Sequence, residues 1–115
     1  MEIDAIVDGL VSFAEHDWIG LWIICSEVED ELGVDDPEKN LEWTLIIVRE
    51  LLKRGLIAGD SPQASGVRFN AWRSQNPDLI AQYIRQEWAR RGGLPAWGDA
   101  PWLAHLRHCE ASHAA

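Results

Sequence analysis

Apolar residues at Ile3, Ile6, Val7, Leu10 and Phe13 recur every three to four positions. That is the spacing of one helix face, and it predicts a first helix over Glu2 to Ala14. A second helix is expected from an N-cap at Asp17 to about Leu32, with Leu21, Cys25, Val28 and Leu32 on its inward face and Gly33 as its stop. Asp35 or Asp36 followed by Pro37 is the signature of a third helix start. Its inward stripe is Leu41, Leu45, Val48 and Leu52, ended by Gly55.

Beyond Gly55 the period shortens. Leu56-Ile57-Ala58 and Val67-Arg68-Phe69 read as two short strands, joined by a Gly-, Ser- and Pro-rich loop from Gly59 to Gly66. Asn76-Pro77-Asp78 opens a fourth helix that turns Ile80, Tyr83, Ile84 and Trp88 inward and closes at Gly92-Gly93. From Pro95 to Leu106 a loop and then a short helix, carrying Trp97 and Trp102, are expected. Residues 110–115 form a small polar tail. Three helices followed by a hairpin is the order of a winged helix-turn-helix. The expected class is therefore mainly α (α+β), one domain, with a winged-helix-like part over 1–72 and a C-terminal helical extension of two segments over 73–109.

The apolar fraction of 47% in 115 residues is enough for a packed core. Cys25 falls on an apolar helix face and reads as a small buried hydrophobe; Cys109 is far from it in sequence. There is no signal-peptide pattern and no apolar run near 18 residues, so a cytoplasmic, soluble chain is expected, away from membranes.

Charge changes the picture most. Between Glu27 and Glu38 stand seven carboxylates and no base. Through Asp60 the chain holds fifteen acids against four bases, and from Ser61 onward four against six. The net charge of -9 is thus a property of the N-terminal half. A field of that sign repels nucleic acid and anionic lipid and attracts a basic protein. It also bears on the winged helix. The third helix would be its DNA reader, yet the first turn carries Asp35, Asp36, Glu38 and Glu42 with Lys39 as the one base. Binding to nucleic acid is not expected.

Acids at a helix start complement its dipole, which accounts for Asp35, Asp36 and Glu38. Glu27, Glu29, Asp30 and Glu31 oppose the dipole at the end of the second helix, so either solubility or attraction of a basic partner keeps them. Two apolar features favour the partner. At 100° per residue Ile19 and Ile23 project away from Leu21, on the side of Glu27 and Asp30. Trp43 and Ile46 fall opposite the inward stripe of the third helix, unless the C-terminal segments cover them. Apolar groups rimmed by charge are the usual anatomy of a protein interface. The expected partner-binding set is Ile19, Ile23, Glu27, Asp30, Glu31, Asp35, Asp36, Glu38 and Trp43.

Catalytic chemistry is poorly represented. Glu87 sits beside Tyr83, Ile84 and Arg91 on the fourth helix, where burial could raise its pKa, though pairing with an Arg is the commoner fate. His105, His108, Cys109 and His113 have a spacing compatible with zinc but no distant second pair. No phosphate loop and no nucleophile with a base is evident. No cofactor, metal or enzymatic activity is expected.

The run Glu50-Leu51-Leu52-Lys53-Arg54-Gly55-Leu56-Ile57-Ala58-Gly59-Asp60, then Trp72, Pro77-Asp78, Ile84, Glu87-Trp88, Pro95, Gly98-Asp99 and Trp102, resembles a pattern of small bacterial proteins. Asp17-Trp18-Ile19-Gly20-Leu21-Trp22 is similar to the segment with which such proteins often begin. Small acidic proteins of this kind resemble immunity proteins encoded beside contact-dependent and other polymorphic toxins. The resemblance implies neutralisation of a basic toxin domain, often a nuclease, by tight binding. The alternative is a winged-helix transcription regulator or adaptor.

Overall fold

The computed structural model describes residues 2–60, 70–92 and 101–105. Its elements run α1 (Glu2–Ala14), β1 (Ile19–Gly20), α2 (Leu21–Leu32), α3 (Pro37–Lys53), β2 (Ile57–Asp60), β3 (Asn70–Ala71), α4 (Pro77–Arg91) and β4 (Trp102–Ala104). The fold is mainly helical with a small antiparallel sheet, an α+β class. The order α1-β1-α2-α3-β2-β3 is that of a winged helix.

The helix starts follow their caps. Asp36 accepts from the Lys39 amide (3.1 Å) with Pro37 at the first helical position, and Asn76 accepts from the amides of Asp78 and Leu79 (2.8 and 3.2 Å) ahead of Pro77. Gly33 ends α2 with φ 65°, a left-handed conformation that side-chain-bearing residues avoid.

α2 begins later than the sequence suggests. Asp17 accepts from the neighbouring Trp18 amide (2.7 Å) rather than capping a helix, and Gly20 is the residue before α2. Ile19 and Gly20 are extended because they pair with Leu103 and Trp102. Trp102 therefore lies in a strand, not in the short helix expected there; Trp97 is outside the described residues. The sheet order is β1-β4-β2-β3, so β4 inserts between β1 and β2 and bonds to both. All three of its residues are buried. The expected hairpin exists as β2 and β3, paired at Gly59–Ala71 and Asp60–Asn70, whereas positions 67–69 lie outside the described residues.

Beyond β3 a side chain takes over the pairing. The Gln75 carboxamide accepts from the Ala58 amide (2.7 Å) and donates to the Ala58 and Trp72 carbonyls (2.9 and 2.7 Å). It satisfies β2 as a strand would.

One core joins all the layers: Ile6, Val7 and Leu10 of α1, Ile24 and Val28 of α2, Ile47, Val48 and Leu51 of α3, Ile80 and Ile84 of α4, and Leu103 of β4. Within it α2 and α3 share a short polar chain. Asn40 Nδ2 donates to the Cys25 carbonyl (3.1 Å), the Thr44 hydroxyl donates to Asn40 Oδ1 (2.9 Å), and Cys25 Sγ lies 3.6 Å from the Thr44 oxygen. The Thr44 proton is committed to Asn40, so the thiol is the donor to Thr44.

α4 lies along α3. Arg85 pairs with Glu42 (2.8 Å) and Arg49 with Asp78 (2.6 Å), so the position rising on one helix falls on the other and the two run antiparallel. The expected inward residues Ile80, Ile84 and Trp88 are buried, while Tyr83 is 38% exposed and stacks edge-on against Trp72 at a centroid distance of 4.9 Å.

Candidate interaction surface

A groove of about 590 Å³ runs between α1 and α2. Its α1 wall is Ala5, Gly9 and Phe13, and its α2 wall is Ile23, Glu27 and Glu31. Each wall is a row of residues four apart, which helical geometry stacks into one ridge. Ile6 and Leu10 also contribute to the lining and are themselves core residues. Phe13 is 42% exposed, which leaves a large aromatic edge open at the groove. Sequence periodicity had assigned Phe13 to the inward face of the first helix; it sits at that face's margin, one step from Leu10.

Two acids, Glu27 and Glu31, line this groove. Every Lys or Arg in the chain lies at or beyond Lys39, so α1 and α2 carry carboxylates alone among their formal charges. Asp30, Glu31, Asp35, Asp36 and Glu38 are exposed and Glu27 is half-buried on the wall. Asp36 has a structural task as the α3 cap. Among the described residues no cation pairs with Glu27, Asp30 or Glu31. Asp8 of α1, by contrast, pairs with Arg54 (2.9 Å), which ties α1 to the end of α3.

The expected apolar anchors divide. Ile23 is half-buried and forms part of the groove wall. Ile19 is fully buried, because it belongs to β1 and points into the core instead of sitting on a helix turn. It is not a surface anchor. Trp43 is half-buried and packs against the core, whereas Ile46 is 44% exposed. Ile46 lies between the Glu42–Arg85 and Arg49–Asp78 pairs, so α4 flanks this face of α3 without covering it.

A second, smaller cavity of about 220 Å³ is bounded by Trp72, Leu79 and Tyr83, with Asp60 at its edge accepting from Trp72 Nε1 (2.8 Å). Glu87 is half-buried and pairs with Arg90 (3.2 Å from Nε), and that hydrogen bond lowers its pKa, the reverse of what burial does. Arg85 acts the same way on Glu42. Cys25 is buried, and desolvation pushes its thiol up to about 11. Among the described residues no group of His, Cys, Asp and Glu could hold a metal ion, and no helix is long and apolar enough to cross a membrane. Of the H-x2-H-C-x3-H pattern only His105 lies within the described residues.

The structure thus defines an α+β domain with winged-helix order and an acidic, grooved face. Compared with known proteins, the chain matches no family model, no curated protein and no solved structure.

Proposed function

We propose that this chain is a non-enzymatic, cytoplasmic protein-binding domain, an immunity protein that neutralises a basic bacterial toxin such as a nuclease domain. The observation that carries the reading is the coincidence of an apolar groove with Glu27 and Glu31 on its wall, which have no cationic partner among the described residues. Long-range attraction of Lys and Arg on the toxin speeds encounter, and apolar burial slows dissociation. Carboxylates facing the phosphate-binding cleft of a nuclease would also occupy the place of its substrate.

A second reading, a winged-helix adaptor or regulator, draws on the element order. Major-groove binding through α3 is disfavoured by the acids of its first turn and by α4, which lies along it.

The test is capture of partners by the tagged protein from its native cells, followed by binding kinetics with the partner identified. A basic toxin domain should be recovered. Joint Glu27→Lys, Asp30→Lys and Glu31→Lys replacement should slow its association about tenfold at low salt, with the melting temperature kept or raised. Association unchanged by the reversal overturns the acidic-surface reading, and salt-sensitive retention on duplex DNA would favour the regulator.

A further inference from the structure

We propose that the α1/α2 groove is the seat of one basic, amphipathic helix of the protein partner. This rests on the reading of the chain as a protein-binding domain and names the structural element that it binds.

One wall of the groove carries a glycine, Gly9. Gly9 lies in the middle of α1 with an ordinary helical backbone; the positive-φ glycines are Gly33, Gly55 and Gly92. Among the described residues a Cβ built on Gly9 would meet no atom within 4 Å. Neither conformation nor packing among those residues calls for glycine there, and glycine weakens a helix interior. What it provides is a low point in the groove wall. With Ala5 one turn before it, a second helix could approach α1 closely, and Phe13 would then close the end of the groove.

Across the groove from Gly9 stand two carboxylates. Glu27 and Glu31 form the opposite wall, on the C-terminal half of α2, where negative charge opposes the helix dipole. Among the described residues they have no cationic partner. Glu27 is half-buried, so an incoming ammonium or guanidinium there would be held in a partly desolvated site.

Dimensions and charge then select the occupant. From Ala5 to Phe13 the wall extends about 12 Å, slightly more than two helical turns. That is the length over which a helix presents apolar side chains at i, i+4 and i+7. Cations on the flank of the same helix would meet Glu27 and Glu31. A second copy of this chain would bring like charge to the face, and so would nucleic acid or an anionic membrane.

The experiment uses a peptide of about 18 residues with one leucine face and one lysine face, and a scrambled peptide of identical composition. Binding to the isotopically labelled full chain is followed by amide shift mapping and titration. The amphipathic peptide should bind at least tenfold more tightly than the scrambled one and shift Gly9, Phe13 and Ile23. Gly9→Leu fills the groove while improving helix propensity, so it should keep or raise the melting temperature and abolish that preference. Phe13→Ala should weaken binding from the other side of the same site. Equal binding of both peptides, binding retained in Gly9→Leu, or no binding at all overturns the groove assignment. Those outcomes leave the acidic surface to be judged by the toxin kinetics. Association unchanged by the charge reversal there sinks the acidic-surface reading, and failure to recover a toxin domain sinks the immunity reading, whatever the peptides do.

Discussion

Asn40, Thr44 and Cys25 show how a few polar atoms fix the contact of two helices. Asn40 donates to the Cys25 carbonyl, Thr44 donates to Asn40, and the Cys25 thiol donates in turn to Thr44. Thr44→Val removes the hydroxyl that satisfies Asn40 Oδ1 and receives the Cys25 proton. Leaving them buried without a partner should cost about 1–3 kcal/mol, measured by urea unfolding. Cys25 has a pH signature of its own. Its folded pKa of about 11 lies above the ordinary 9.0, so below pH 9 both states hold the proton and stability is unaffected. As pH rises from 9 toward 11 the unfolded chain loses a proton that the folded chain keeps, and stability falls, by an amount on the order of 2 kcal/mol. In a Cys109→Ser background, the further change Cys25→Ala should flatten that part of the profile. Gly20 is constrained by packing. A Cβ there would lie 2.7 Å from Trp22 Nε1 and 3.2 Å from Trp102 Cη2, and Gly20→Ala is expected to destabilise the fold by about 1–3 kcal/mol on thermal denaturation.

At the scale of elements, β4 is the piece on which the sheet depends. Leu103 is fully buried and its neighbours across the sheet are Ile19 and Ala58. Leu103→Ala should cost about 2–5 kcal/mol through the cavity it leaves, read as a shift of the denaturation midpoint. The helices were legible from sequence because their signals are local. Asp36-Pro37 and Asn76-Pro77 mark their starts, and the apolar stripes predict Leu41, Leu45 and Val48 of α3 and Ile80, Ile84 and Trp88 of α4, though not the equally buried Asn40, Thr44, Ile47 and Leu51. The strands β1 and β4 were not legible. β1 is two residues long and is extended only because β4 pairs with it. β4 has three buried residues in a row, so the alternation that betrays a half-exposed strand is missing. Taking Ile19 for a helical residue placed it by rotation on an outer face, whereas the sheet turns it inward. The Gln75 clamp on Ala58 was invisible for a similar reason: a carboxamide substituting for a strand leaves no periodic trace.

For the molecule as a whole, the acids at the end of α2 oppose the helix dipole, and the proposed partner is what they would serve. Glu29, Asp30 and Glu31 stand in the last turn with no basic residue beside them. Replacing all three by Gln removes mutual repulsion and an unfavourable dipole contact, and should raise stability by about 1 kcal/mol at low salt. A fall in melting temperature would instead assign them a structural role. The acidic half of this surface could be read directly from the sequence. Its groove could not, because Gly9 and Phe13 gain their meaning from the position of α2 beside α1.

The sheet order has one more consequence, for the time course of folding. Residue 19 finds its partner at residue 103, after all four helices have passed, while α1, α2 and α3 meet through neighbours along the chain. Local contacts form early and distant ones late. The acidic groove can therefore exist before the sheet is closed. Until β4 arrives, the inner edge of β2 is an unpaired strand edge, open to pairing with another chain. An antagonist of a lethal partner would gain from having its binding face assembled first, and would be most exposed to aggregation in the interval before its last strand seats.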